Sequence, residues 1–141
     1  MYLRKGIVMR TNAREAAFKI LFSAQFNDEF EDTKRAIINL EKLNENDIAY
    51  CNGIIKSVIE HKSELTKIID EHSRLFPESR LFPADRSILL IAIAEILYFD
   101  DIPSAVSVNE GANIASKYSS EKSATFISGI LSEIIREHDN V

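Results

Sequence analysis

Residues 85–97 read DRSILLIAIAEIL, and this stretch decides the fold of the chain. Between Ile88 and Leu97 only Glu95 is charged. Because a helix that is apolar on nearly every side must be surrounded by other helices, we predict that this segment is the central helix of a helical protein. Pro83 suits its first turn, where the missing N–H costs nothing, and Pro103 lies beyond its end, since the residue before a proline avoids the helical region.

Apolar residues recur three and four positions apart on both sides of this segment, and no segment alternates convincingly with a period of two. The pattern predicts an all-α fold of about seven helices in two packed helical subdomains. The segment from Leu75 to Pro83, with its two prolines and two phenylalanines, is predicted to be the crossing between them. The expected organisation is a basic arm at 1–10, an N-terminal subdomain at 11–78 and a C-terminal subdomain at 79–141.

Two helix starts carry the pattern of a capping box, in which a polar N-cap is followed three residues later by a glutamate. Asn12 with Glu15 is predicted to begin the first helix, and Ser107 with Glu110 the sixth. In the second helix, Leu40 falls on the apolar stripe and is expected to be buried.

The composition is that of an ordinary globular protein, with 141 residues, 45% hydrophobic and 28% charged. The single cysteine, Cys51, cannot form an internal disulfide, and its place on an apolar helical face predicts a buried thiol. No apolar run approaches the ~18 residues that a membrane span needs. A cytoplasmic protein without a membrane contact is therefore expected.

Charge is distributed unevenly along the chain, whose net charge is −5. Residues 1–26 hold five basic side chains and one acidic side chain, which makes +4, so residues 27–141 carry −9. Such asymmetry indicates either a basic arm that meets a polyanion or simply a solvated terminus, and composition alone leaves both open.

The usual catalytic and metal-binding motifs are missing from the sequence. Widely spaced glycines exclude a phosphate-binding loop, and no nucleophile elbow is present. His61, His72 and His138 lack the spacing of metal ligands, so His72 is predicted to be a core or boundary residue. We therefore expect no enzyme, no cofactor and no metal. Glu95, if buried, needs a partner such as an arginine or a helix N-terminus.

Several motifs go beyond a generic helical pattern, and together they resemble the NusB family over residues 10–135. They are RTNAREAAFKILF at 10–22, DRSILLIAIAE at 85–95, DIP at 101–103, VSVNE at 106–110 and FISGIL at 126–131.

The resemblance implies a helical adaptor without catalytic activity. Such an adaptor pairs with the ribosomal protein NusE, binds the boxA element of nascent ribosomal RNA transcripts, and loads a complex onto RNA polymerase that resists Rho-dependent termination. A NusB-like domain also begins some ribosomal RNA methyltransferases, but 141 residues leave no room for their catalytic domain. One alternative function stays open, a protein-only interaction module with weakened RNA binding. The oligomeric state also stays open, with a homodimer as one possibility.

The resemblance also implies site residues. An arginine-rich start of the first helix contacts RNA in the family, and here Thr11 and Asn12 replace two arginines, so fewer counterions are released on binding. Asp85 and Arg86 match the place where the family meets NusE. The expected RNA-binding residues are Lys5, Arg10, Asn12, Arg14, Lys122 and Phe126.

Overall fold

The structure, a computed structural model, describes residues 10–73 and 77–139. Within these ranges the chain contains helices and no strand, which confirms the predicted all-α class. Among the described residues, no helix combines the length and hydrophobicity that crossing a bilayer requires. The helices are α1 (Thr11–Ala24), α2 (Phe30–Leu40), α3 (Glu45–Glu60), α4 (Lys62–His72), α5 (Pro83–Tyr98), α6 (Ser104–Tyr118) and α7 (Glu121–Asp139), with a 3-10 turn at Glu78–Arg80.

Helix α5 lies at the centre of the molecule, as predicted. Every residue from Ser87 to Ile96 is buried, and α1, α3, α4, α6 and α7 all pack against it. Pro83 occupies its first turn, as expected. Burying each large aliphatic side chain of this helix contributes about 1.5–3 kcal/mol before entropy costs. The apolar character of α5 on all sides therefore organises the fold.

The other helices pack in two groups around α5. Helix α1 packs on α2 and α3, while α6 and α7 form an antiparallel pair. One core cluster contains residues from both groups, so their apolar interiors are continuous. The division near Ser79 stays a prediction.

Helix α1 does not begin with the predicted capping box. It starts at Thr11 after Arg10, whose φ of 56° is left-handed, and no side chain caps it. Asn12 is exposed on the first turn. Glu15 instead accepts hydrogen bonds from Lys117 and from its neighbour in α6. The carboxylate of Glu15 therefore accepts from two donors of α6 and does not cap its own helix.

Helix α6 also starts earlier than the predicted capping box. Its first residue is Ser104, directly after Pro103, whose fixed φ suits the entry to a helix. Ser107 and Glu110 are therefore interior residues of α6, and both are buried. Their polar atoms take part in a cluster of buried charges described below.

The prediction that Leu40 is buried is wrong. Its side chain is 78% exposed, and no residue of α2 is fully buried. Helix α2 lies at the edge of the fold and packs chiefly on α1, through a contact that includes Phe30 and Ile37. Leu40 is the last residue of the helix, and it is not among the side chains that pack against the core.

Candidate nucleic-acid interface

Arg10 is held at the start of α1 by two neighbouring elements. Its guanidinium carbon lies 4.2 Å from the centre of the Tyr50 ring, and Nη1 lies 3.7 Å from Oδ2 of Asp101. The side chain is still 30% exposed. A guanidinium stacked on a ring keeps free N–H groups for other acceptors, so Arg10 can offer donors to an anion.

The first turn of α1 adds further donors to this surface. The helix has no side-chain cap, and its N-terminal end carries a partial positive charge with unpaired backbone N–H groups. Asn12 is exposed there. Thr11 is not available in the same way, because its Oγ1 donates to Oε1 of Glu110 at 2.8 Å. The exposed donors at this end of α1 are suited to phosphate groups.

Arg14 lies inside the core, and its prediction as an RNA contact is corrected here. Its side chain is 1% exposed. Nε donates to Oε2 of Glu95 at 2.7 Å, and Nη1 donates to Oε1 of Glu110 at 3.1 Å. Glu95 also accepts from the hydroxyl of Tyr50 and, at 2.9 Å, from Oγ of Ser107. A guanidinium enclosed in this way offers no surface to RNA.

The buried charges of this cluster stabilise one another. Burial alone lowers the pKa of Arg14, but the charge and hydrogen bond of Glu95 outweigh it and raise that pKa above its ordinary value. Burial and the same carboxylate also raise the pKa of Tyr50. Glu95 thus has an arginine as its partner, as the sequence predicted for a buried acid.

A second group of predicted residues lies at the start of α7. Lys122 is exposed and Phe126 is half-buried, and both line a cleft of about 340 Å³. Phe82, which precedes Pro83, lines the same cleft and is 70% exposed. The sequence analysis did not identify Phe82. Its position directly before Pro83, outside α5, was a signal that its ring does not pack with the buried residues of that helix. The cleft presents two aromatic rings beside a cation.

Asp85 forms part of the structure of this cleft, and its expected role as a NusE contact is corrected. Its residue exposure is 4%. Oδ1 accepts from Oγ of Ser119 at 3.0 Å, and Oδ2 accepts from Oγ of Ser123 at 2.9 Å. The carboxylate therefore connects the start of α5 to Ser119, between α6 and α7, and to Ser123 in the first turn of α7. It does not offer an exposed acceptor to a partner.

Arg86 holds the loop that precedes α5. Its guanidinium donates to the backbone carbonyls of Glu78 and Ser79 at 3.1 Å and of Leu81 at 3.3 Å, and also to the side chain of Gln25. Oε2 of Glu78 lies 3.2 Å from its Nε. These four hydrogen bonds engage all three nitrogens of the guanidinium within the chain. Arg86 positions the segment that carries Phe82.

The structure does not bring the predicted RNA-binding residues into one pocket. Arg10 and Asn12 lie near the C-terminal end of α5, where Arg14 meets Glu95, whereas Lys122 and Phe126 lie near its N-terminal end beside Asp85. Asp85 and Glu95 are ten positions apart on α5, which is about 15 Å along the helix axis. Lys5 lies outside the described residues.

Comparison with known proteins places the chain in one family. Residues 11–136 match the NusB family model. A transcription antitermination protein NusB from Natranaerobius thermophilus is 36% identical over 132 residues, covering 91% of this chain and 95% of the relative. The structure of T. maritima NusB has a TM-score of 0.84 at 30% identity, covering 91% of both chains.

A second solved structure shows the same fold at lower sequence identity. It comes from the complex of the antitermination factors NusB and NusE with dsRNA, with a TM-score of 0.82 and 21% identity, covering 92% of this chain and 97% of that chain. The family model covers residues 11–136, from the start of α1 into α7, and this extent shows that the chain belongs to the NusB family.

Proposed function

We propose that this chain is a transcription antitermination factor that pairs with NusE and binds boxA RNA in nascent ribosomal transcripts. In this role it is an adaptor without catalytic activity, and it helps to load a complex onto RNA polymerase that resists Rho-dependent termination. The names of its relatives support the general role, and a protein of the same fold occurs in a complex with NusE and RNA.

The observation that carries the proposal is the pairing of a phosphate-binding surface with an aromatic cleft. Arg10, Asn12 and the uncapped start of α1 provide donors for phosphate oxygens. Phe82 and Phe126 provide rings on which unpaired bases can stack, and Lys122 adds a cation at the same cleft. Single-stranded RNA is recognised by this combination of backbone contacts and base stacking.

The charge of the chain also suits the two proposed partners. The acidic remainder, −9 over residues 27–141, is complementary to a basic ribosomal protein, and such complementarity favours association. Since Arg14 is buried, fewer cations face RNA than the motif implied, and binding should depend only weakly on salt. NusE is then expected to supply part of the RNA affinity.

Fluorescence titration with a boxA-like RNA, alone and in the presence of NusE, tests the proposal. We expect NusE to bind the chain and to raise its RNA affinity, with a scrambled RNA of equal length as the control. If NusE binds without any gain in RNA affinity, the chain is a protein-only interaction module instead. The few exposed cations at the candidate site favour that alternative. Sedimentation of the free chain in the same buffer separates a monomer from a homodimer.

A further inference from the structure

Three ligand-type side chains meet where the end of α4 packs on α7. Nε2 of His72 lies 3.0 Å from Oε1 of Glu137 and 3.9 Å from Oε1 of Glu133. One ligand atom from each residue lies within 4.8 Å of the others, and within residues 10–73 and 77–139 no other histidine, cysteine or acidic group has this arrangement. The imidazole is 8% exposed, so the ring is enclosed by protein on most sides.

The hydrogen bond at Nδ1 of His72 determines whether Nε2, the ring nitrogen that faces the carboxylates, has a lone pair. Nδ1 of His72 lies 2.8 Å from the carbonyl oxygen of Ile68, which can only accept, so Nδ1 carries a proton. In the neutral imidazole, Nε2 then has a lone pair that faces Oε1 of Glu137. Two lone pairs at 3.0 Å repel each other unless a cation lies between them, either a proton on Nε2 or a metal ion. Metal-binding histidines are oriented by this same type of hydrogen bond from the second ring nitrogen.

Two of the three separations are close to those around a tetrahedral ion. Bonds of about 2.1 Å to nitrogen and oxygen place the ligand atoms of a tetrahedral Zn²⁺ site about 3.4 Å apart. The two distances from Nε2 of His72, 3.0 and 3.9 Å, lie on either side of this value. Glu133 and Glu137 share one face of α7 because they are four residues apart. The third separation, between the two carboxylates, is below 4.8 Å.

The surroundings of His72 favour positive charge. The residue is the last of α4, where the carbonyl end of the helix dipole is negative. Two carboxylate oxygens also lie near the ring, Oε1 of Glu137 at 3.0 Å and Oε1 of Glu133 at 3.9 Å from Nε2. Both would attract a divalent ion placed at Nε2.

We propose that His72, Glu133 and Glu137 bind one divalent transition-metal ion of the Zn²⁺ type, with water as the fourth ligand. The imidazole and the small number of oxygen ligands disfavour Ca²⁺ and Mg²⁺, which take six or more oxygens or keep most of their water. The ion would connect α4 to α7, helices far apart in the sequence. Because such an ion binds the folded chain, it stabilises the packing of these two helices.

Metal titration of the full, metal-free chain tests this inference directly. We expect one equivalent of Zn²⁺ to bind in competition with a chromophoric chelator and to raise the Tm. Co²⁺ in the same site should give the visible absorption of a tetrahedral ion. His72→Gln and Glu137→Gln, the second a mild change at the surface, should each weaken Zn²⁺ binding by at least about tenfold. Replacing a residue that only supports a metal ligand already costs about that much, so loss of a ligand should cost no less.

His61→Gln is a matched control for His72→Gln. His61 makes the same bond from Nδ1 to a backbone carbonyl, that of Ser57 at 3.0 Å, but its ring stacks on Tyr98. The control should bind Zn²⁺ as the wild type does. Equal binding by His61→Gln and His72→Gln would overturn the proposal, as would loss of binding in Cys51→Ser alone. Absence of Zn²⁺ binding by the wild type would also overturn the proposal. The cation between His72 and Glu137 would then be a proton on Nε2.

Discussion

Nε of Arg14 lies 2.7 Å from Oε2 of Glu95, and both side chains are 1% exposed although the two residues are 81 positions apart. The pair joins the first helix to the central helix inside the core. The motif at 10–22 had suggested one role, RNA binding, for both Arg10 and Arg14. In the structure Arg14 stabilises the fold, whereas Arg10 lies at the surface. The buried Arg14 therefore fixes the start of α1, where Arg10, the proposed RNA contact, lies at the surface.

Replacing Arg14 with alanine should destabilise the chain strongly. The change leaves the carboxylates of Glu95 and Glu110 buried without their cation, and breaking a buried pair costs about 3–5 kcal/mol. Urea unfolding followed by circular dichroism measures the loss. Arg35→Ala removes an exposed arginine whose Nη1 lies 3.1 Å from Asp32, and it should cost less than about 1 kcal/mol. Similar losses for the two variants would contradict a structural role for Arg14.

Replacing Arg10 with alanine should weaken RNA binding without unfolding the chain. The loss of one hydrogen bond to a charged group is about 1.5 kcal/mol, or roughly tenfold in affinity. With one fewer phosphate contact on a single strand, the slope of log K against log salt should become shallower by about 0.7. Titration over a range of salt concentrations measures both quantities. The exposed Lys67 offers a control, because Lys67→Ala removes a cation from α4, a helix that carries no candidate RNA-binding residue. An equal effect of both changes would indicate nonspecific attraction.

Replacing Phe82 with alanine should reduce RNA affinity by about 1–3 kcal/mol, the usual contribution of a base stacked on an aromatic ring. Because the side chain is 70% exposed, the free energy of unfolding should change little. Fluorescence titration and thermal unfolding of the same samples separate the two effects. Phe26 is a matched control, since it is 62% exposed and its ring packs on Phe22 of α1. If Phe26→Ala weakens RNA binding as much as Phe82→Ala, the cleft is not the stacking site.

The central helix could be predicted from sequence because its burial is encoded locally. Apolar residues on every side of the segment that ends at Leu97 leave no face for water, whatever the rest of the chain does. The burial of Arg14 had a local signal as well, because Ala17 and Leu21 follow it at helical spacing on the apolar stripe of α1. Its match to an arginine-rich motif favoured the surface interpretation instead.

Other features depend on contacts between distant residues and could not be read locally. Asp85 is buried because the hydroxyls of Ser119 and Ser123 reach it from another part of the chain. Glu15 does not form the predicted cap, and its carboxylate accepts hydrogen bonds from Lys117 and Tyr118 of α6 instead. In both cases a polar side chain could satisfy a local or a distant partner, and only the packing of the helices decides between them.

Cys51 should resist thiol reagents in the folded chain. Burial raises the pKa of Cys51 to about 11, with only a small opposing effect from Lys34, so the reactive thiolate is scarce near pH 8. Labelling with a chromogenic disulfide should therefore be slow and should become fast in urea. A folded chain whose Cys51 reacts as quickly as the unfolded one would show that the thiol is accessible.

The stability that Glu15 contributes should depend on pH. Burial raises its pKa, but hydrogen bonds from Tyr118 and Lys117 outweigh burial, so the pKa lies below its ordinary value. A carboxylate whose folded pKa is depressed binds fewer protons in the folded than in the unfolded state. Its contribution is then fully present above the unfolded value of about 4.3 and is lost as the pH falls through the folded pKa.

Glu15→Gln should therefore destabilise the chain more at pH 7 than at pH 3. Urea unfolding at several pH values gives the difference between variant and wild type at each pH. Asp28→Asn, a change in the exposed loop between α1 and α2, is the control for a general effect of removing one negative charge. A difference for Glu15→Gln that stays constant from pH 7 to pH 3 would mean that the bonds from α6 do not depend on the charge of Glu15. In that case neutral hydrogen bonds, rather than the carboxylate, would connect α1 to α6.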